Sequence, residues 1–412
     1  MTRKNVLILG AGVYQVPLIQ AAQRLDCYVI AASIPGDYPG FAYADEVAYI
    51  DVRDKESLLD LARERQVSAV VTAGSDIAIS SVGYVCERLS LPGINTETAI
   101  RVTDKISMKR ALKDGGVKTA RFEETQLGQP LEHYVEIAEK IGYPTIFKTI
   151  DSSGSRGITK VFSQDDIPAA IANIEKTTRC SSFLIEKLLI GREFGAQLFV
   201  VDGEAALYMP HGDYLFEGDT AVPIGHYVPF GDDALAEAVR VESMKAVNAV
   251  GLRNGAVNVD AIECDGDVFI IEIGARAGAT CLAEMVSERY AIDYYEIIMR
   301  NALGEQVELP FVVNDTSISA MLLCPDRSGV VASASIPESL PDDIMGVSLD
   351  HEPGASIRQF RIGPDRCGHV MACNPSLLEA ERCVLETMNS IEVTLEDGSR
   401  VGWVMPTWAA LE

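Results

Sequence analysis

The chain has 412 residues, 48% of them apolar, and its 35 lysines and arginines stand against 60 acids for a formal charge of −25. That length allows about two to four packed units, and no apolar run reaches the ~18 residues of a membrane span. The acidic balance repels nucleic acid and anionic membranes at long range, so neither is expected as a partner, and an anionic ligand must be met by local cations. The first residues, MTRKNVLILGAG, enter a strand directly and lack a secretory signal, so a cytoplasmic protein is expected. Nine cysteines (27, 86, 180, 264, 281, 324, 367, 373, 383) lie among apolar neighbours without C-x-x-C pairs and read as small buried hydrophobes. Cys367, His369 and Cys373 come nearest to a metal cluster and read as strand packing.

Residues 1–95 alternate strand and helix: NVLILGAG with 14–24, CYVIAAS with 55–66, SAVVTAG with 76–89. This predicts a βαβαβ unit with a parallel sheet. Its first turn, GAGVYQ, is close to the dinucleotide fingerprint G-x-G-x-x-G, but Gln15 replaces the third glycine and strand two ends in AAS without an acid for a ribose. A tight strand-to-helix turn whose helix N-terminus faces an interdomain cleft fits better than a nicotinamide site. Residues 96–120 are predicted helical up to a Gly-Gly stop. Then follow a helix (131–142), a strand carrying Lys148, a glycine-serine loop, a strand (158–162), a helix capped by Ser163, and strands at 182–186 and 192–201. A helix at 232–250 precedes the hairpin NGAVNVDAIECDGDVFIIEIGARAGA. Residues 310–412 read as mostly strand, with one helix over 376–389. No internal repeat is present.

Lys148 in PTIFKTI is a strand-interior lysine that is costly unless its ammonium reaches an anion or solvent. The SSGSRG stretch after it offers backbone N–H groups free of bulky side chains, suited to phosphate oxygens. No Walker sequence occurs, so phosphate binding needs another architecture. In FLIEKLLIGREFGAQL, Glu186 and Glu193 flank a short apolar connector whose peptide groups suit an adenine edge, with a carboxylate for ribose hydroxyls; solvent-facing acids on a β-connection are the plain alternative. Asp260 and Glu272 lie on the two arms of the hairpin. A two-residue Asp-Gly turn would put them on opposite faces, so a three-residue loop, Cys264-Asp265-Gly266, is expected, which sets them on one face. Two converging carboxylates repel unless a hard cation sits between them, and Mg²⁺ is the usual one. Arg276, in GARAGA, offers a fork for a carboxylate or phosphoryl group where small neighbours let a large ligand approach.

Over roughly residues 1–305 these landmarks, in this order, resemble the ATP-grasp superfamily, in particular its carboxylate–amine ligases of the L-amino-acid ligase kind. The relatives of that group include biotin carboxylase and the large-subunit domains of carbamoyl phosphate synthetase. The resemblance implies an α/β (α+β) fold: a Rossmann-like N-terminal domain (1–95), a two-lobed ATP-grasp domain (96–309, with lobes 120–187 and 188–309) and a β-rich accessory domain (310–412). It implies ATP with Mg²⁺, or Mn²⁺ in its place. Lys105 and Lys148 would bind the α- and β-phosphates, and a flap including Ser152, Ser153, Gly154 and Ser155 would close over the γ-phosphate. Glu186, Lys187 and Leu189 would line the adenine pocket, Glu193 would take the ribose, and Asp260 and Glu272 would ligate the metal. Arg276, with Lys148, would be catalytic and would face the acceptor carboxylate. Where such ligases read E-x-N-x-R, this chain has Gly274 in place of the asparagine. Asn258, of the same parity as Asp260, is the candidate to supply the missing metal contact.

The activity so implied is ligation of a carboxylate to an amine through an acyl phosphate, with small-molecule substrates, amino acids or peptides first. His211 and His226, in MPHGDYLFEGDTAVPIGHYVPF, are candidate substrate contacts, with packed or surface histidines the alternative. The rival readings are a biotin-type carboxylase, a phosphotransferase that stops before ligation, and a non-catalytic nucleotide-binding module motivated by Gly274. The C-terminal hundred residues read as a lid or a homodimer surface.

Overall fold

The structure, a computed structural model, describes residues 3–151, 157–217, 221–307, 309 and 313–406. The N-terminal unit comprises β1 (Lys4–Leu9), α1 (Val16–Arg24), β2 (Cys27–Ser33), β3 (Glu46–Tyr49), α2 (Lys55–Glu64), β4 (Ala69–Val71) and α3 (Ile79–Leu89). Its sheet is parallel in the order β3-β2-β1-β4; the short β3 was not foreseen. Side chains alternate across β1, so Val6 and Ile8 join one apolar cluster and Leu7 and Leu9 another, which is why its sequence reads as an unbroken apolar run. Gln15 fills the hollow of the GAG turn: its Oε1 accepts from Gly12 N at 2.8 Å and its Nε2 donates to the Ala73 carbonyl. A Cβ on Gly10 would lie 2.9 Å from that side chain, so the turn is plugged by its own glutamine.

The expected single helical stretch is two helices, α4 (Thr96–Thr103) and α5 (Lys105–Asp114), divided at Asp104, whose carboxylate caps α5 by accepting from Ser107 N. A small antiparallel sheet follows: β5 (Phe122–Gln126), α6 (Leu131–Ile141), β6 (Thr145–Thr149), β7 (Ile158–Val161), α7 (Ile167–Thr177) and β8 (Ser182–Lys187), in strand order β5-β8-β6-β7. Ser163 caps as expected, in a capping box with Asp166 that opens a single turn of 3₁₀ before α7. This sheet has its own apolar core, with Phe147, Phe183 and Ile185 against Tyr134 and Ile174.

The large sheet begins with β9 (Arg192–Val201), β10 (Glu204–Glu217) and β11 (Ala221–Val228), is backed by α8 (Asp233–Val250), and continues with β12 (Gly255–Cys264) and β13 (Asp267–Gly274), then α9 (Leu282–Tyr290) and α10 (Tyr294–Ala302). The C-terminal part contributes β14 (Ser317–Leu322), β15 (Gly329–Ser335), β16 (Ile344–Leu349), β17 (Ser356–Ile357), β18 (Gly368–Asn374), α11 (Leu377–Ser390) and β19 (Glu392–Leu395). Three of these strands extend the same sheet, in the order β13-β12-β9-β10-β11-β14-β18-β16, while β17-β15-β19 form a separate three-stranded sheet. Among the described residues no helix is long and apolar enough to cross a membrane. The nine cysteines are unbridged, and six are buried.

The hairpin corrects one expectation and keeps its consequence. Cys264 pairs with Asp267, so the turn has two residues, Asp265 (φ 54°) and Gly266 (φ 81°), the left-handed pair of an Asp-Gly hairpin. The parity is restored further in, where Ala261 pairs with Ile270 but Asp260 with Glu272: a β-bulge at Ile271 absorbs one residue. The two acids therefore share a face because of the bulge, not because of an odd-numbered loop.

Candidate active site

One cavity of about 330 Å³ lies between the small sheet and the large one. Its walls bring together Lys105 from the start of α5, Lys148 from β6, Glu186, Lys187 and Leu189 from β8 and its connector, Glu193 from β9, and Asp260 and Glu272 from the hairpin, with His211 and His226 beside them. The connector is shaped by Gly191, whose Cβ would sit 1.8 Å from the Glu263 carbonyl oxygen; the hinge passes so close to β12 that only hydrogen fits. The residues 152–155 expected in the flap lie outside the described residues.

Three of the lysines are already in ion pairs. Lys105 Nζ is 3.2 Å from Glu272 Oε2, and this partner outweighs burial and holds the ammonium pKa above its ordinary value. Lys148 reaches Glu186 Oε2 at 3.3 Å, and the same oxygen takes Lys109 at 3.2 Å. Lys109 is 2% exposed and also donates to Thr119 Oγ1 at 2.6 Å. Burial pushes its pKa down, with Glu186 opposing, whereas the two lysines keep the Glu186 carboxyl low although burial would raise it. Lys109 was not foreseen. The signal for it is the spacing in KISMKRALK, where it shares the buried face of α5 with Ile106 and Leu112. Lys187 lines the cavity, but its ammonium is occupied by the carbonyls of Gly142 and Tyr143 at 3.0 and 2.8 Å.

The acids behave differently. Asp260 is enclosed by the cleft yet open to the solvent within it. That enclosure, then the charges of Glu272 and Asp213, push its carboxyl up to about 7. Glu193 is likewise raised, by burial and then by Asp213. Asp260 and Glu272 are thus hard oxygen donors crowded together with less cation than their charge calls for, which fits a divalent ion.

Two expected residues stand outside the cavity wall. Asn258 donates from Nδ2 to Asp260 Oδ1 at 2.9 Å, while its Oδ1 accepts from Gln197 Nε2 at 2.6 Å. Its oxygen is therefore engaged by Gln197, and its contact to the acids is through the amide nitrogen, which corrects the assignment of that oxygen to a metal. Arg276 is held in a two-pronged pair by Asp76, at 2.8 and 2.6 Å, so in this structure its fork already grips a carboxylate of the chain. Arg276 outweighs burial to hold the Asp76 carboxyl low. Gly274 now has a structural account: a Cβ there would lie 3.1 Å from Asp76 Oδ1, so its bareness admits Asp76. The small residues of GARAGA serve packing as well, since a Cβ on Gly278 would lie 2.8 Å from Asn258 Oδ1 and 2.9 Å from Gln197 Nε2. Asp76 carried no signal of its own in SDIAIS; only the fold brings it 200 residues along the chain to Arg276.

Residues 141–284 match the ATP-grasp domain, and residues 321–396 match the L-amino acid ligase C-terminal domain 2. A crystal structure of phosphoribosylglycinamide synthetase from Anaerococcus prevotii superposes with a TM-score of 0.82 at 30% identity, covering 96% of this chain and 100% of that one. The chain belongs to the ATP-grasp family. It is an ATP-dependent ligase of the C–N bond-forming, ADP-producing kind. An L-amino acid ligase from Bacillus licheniformis shares the fold of this ATP-grasp ligase with a TM-score of 0.77 at 18% identity, over 96% of this chain and 100% of that one. In sequence, a formate-dependent phosphoribosylglycinamide formyltransferase of Synechococcus sp. (strain CC9605) is 25% identical over 371 residues, 85% of this chain and 89% of its own length.

Proposed function

We propose that this ATP-grasp enzyme activates a carboxylic acid with ATP as an acyl phosphate and joins it to an amine, releasing ADP and phosphate, with amino acids as the substrate class. The observation that carries the reading is the single cavity in which Lys105 and Lys148 stand over the facing pair Asp260 and Glu272. In it the triphosphate of ATP runs along the two lysines, which exchange their carboxylate partners for phosphate oxygens. The adenine lies against the connector from Glu186 to Leu189, and Glu193 takes the ribose. Asp260 and Glu272 are the residues to hold Mg²⁺, which when bound neutralises phosphate charge. Asn258 holds Asp260 in place.

A carboxylate cannot exchange oxygen for nitrogen at neutral pH because its leaving group is too poor, and phosphorylation removes that obstacle. The chain then has to position the reactants, offset developing negative charge and exclude water. Arg276 serves the acid once its fork is shared with Asp76. Amino acids are favoured by the match of residues 321–396 to an L-amino acid ligase domain. A second reading keeps the same chemistry with formate as the acid and phosphoribosylglycinamide as the amine, and the 25% identity to the Synechococcus formate-dependent formyltransferase favours it. ADP release measured over pairs of acids and amines, formate with phosphoribosylglycinamide among them, separates the two. Release that needs both an acid and an amine supports ligation. Release with an acid alone, at an unchanged rate when any amine is added and with no amide product, contradicts it.

A further inference from the structure

His211 and Asp213 lie two apart on β10 and so share a face, and the register of β10 with β11 sets His226 directly across from Asp213. The result is a buried His–Asp–His cluster whose ligand atoms lie within 4.8 Å of one another. Both rings turn Nδ1 to the same oxygen: Asp213 Oδ1 is 3.0 Å from His211 and 2.6 Å from His226. An acceptor shared at those distances takes two N–H donors, which fixes the proton of each neutral ring on Nδ1 and leaves Nε2 with its lone pair. His211 spends that lone pair within the protein, with Nε2 3.5 Å from the Gln197 amide nitrogen. Its ring is wedged in place, since a Cβ on Gly195 would come within 2.6 Å of it. His226 does not: among the described residues no donor or acceptor meets its Nε2, and its ring lines the cavity that holds Asp260 and Glu193. The charged groups that bear on it are Asp213 and His211 from β10, Glu193 and Asp260 across the cavity, and Lys148 and Lys160 from the small sheet; β14 sets Ala320 opposite and brings no charge.

We propose that His226, held by Asp213, is the base that takes a proton from the incoming amine. This rests on the ligase reading above, and it supplies what that reading lacks. An α-amino group is largely protonated at neutral pH and has no lone pair to attack with. In the step, an N–H bond of the ammonium breaks and its proton passes to His226 Nε2. The freed lone pair forms the C–N bond at the acyl carbon, and the C–O bond to phosphate then breaks with its electron pair going to the phosphate. The second ammonium proton leaves with that phosphate, and His226 returns its own to solvent through the cleft. The Asp213 carboxylate, facing both rings, compensates the imidazolium while it exists. His211 and Asp213 act through His226 and are positioning residues.

The test compares two acceptors in the holoenzyme with ATP and Mg²⁺: hydroxylamine, which is unprotonated at neutral pH and needs no base, and L-amino acids, with formate and the L-amino acids screened as the acid. In His226→Asn, hydroxamate formation stays within about threefold, while amide formation falls on the order of 10²-fold or more and recovers as pH rises toward the amine's own pKa. Asp213→Asn gives the same split between the two acceptors at about tenfold. Equal losses with both acceptors, or no loss with either, overturn the assignment. A wild-type enzyme that makes no hydroxamate from any acid overturns the ligase reading first and this one with it.

Discussion

Glu186 sits where one carboxylate oxygen answers two lysines, and its removal is the sharpest perturbation available. At 3.2 Å from Lys109, with an effective dielectric of about 20, each such pair is worth roughly 5 kcal/mol before desolvation. Taking buried ions out of water returns several kcal/mol of that, so the pair as a whole contributes little. Breaking it from one side is another matter, because Lys109 is then 2% exposed with no anion. Glu186→Gln should therefore cost about 3–5 kcal/mol locally, whereas Lys109→Met with Glu186→Leu should cost under about 1.5, since Lys148 can turn its ammonium to the open cleft. Because a chain with several cores need not unfold in one step, the assay is native-state amide hydrogen exchange of β6 and β8, the strands that flank the pair. Protection there should fall on the order of 10²–10³-fold in the single variant and within about tenfold in the double. A single variant protected as well as the wild type, or a double variant worse than the single, would refute the reasoning.

Lys148→Ala should lower ATP turnover on the order of 10²-fold or more, by analogy with the loss of one charge-stabilising donor; a loss under threefold in steady-state ADP release excludes the role. Asp260 gives a pH-dependent prediction. Its folded pKa is raised to about 7 from 3.8, so the destabilisation is absent below about pH 4 and grows as pH rises through 7. In metal-free protein Asp260→Asn should then melt higher than wild type by about 1–3 °C at pH 8 and not at all at pH 4, the size reduced by solvent in the cleft; a variant that melts lower at pH 8 contradicts this. Gly274→Asn should loosen the Asp76–Arg276 pair and raise the KM for the acid, measured by coupled ADP assay, with little change in the KM for ATP; the reverse pattern counts against Arg276 at the acid.

What could be read in the sequence was the part carried by local pattern. Lys148 stood out because an apolar strand does not tolerate a lysine without a partner, and the structure supplies Glu186, itself read from the end of another strand. The hairpin acids were legible by parity, but the bulge at Ile271 was not, because the extra residue changes no composition and is visible only in the pairing. Lys109 was hidden by its own helix, where a lysine at a buried position looks like one more solvated charge. The Asp213–His226 contact and the Asp76–Arg276 pair depend on register and on packing between units, which one sequence does not encode locally. Gly274 looked like a loss of a ligand; in the fold it makes room for Asp76.

The central claim is that one cavity holds the nucleotide's phosphates between two lysines with a divalent ion on the hairpin acids. A crystal structure with a non-hydrolysable ATP analogue and Mn²⁺, read by the metal's anomalous signal, tests it directly. The account predicts a peak bound by Asp260 and Glu272 together, with phosphate oxygens at Lys105 and Lys148. A nucleotide seated elsewhere, or a metal bound by neither acid, would contradict it.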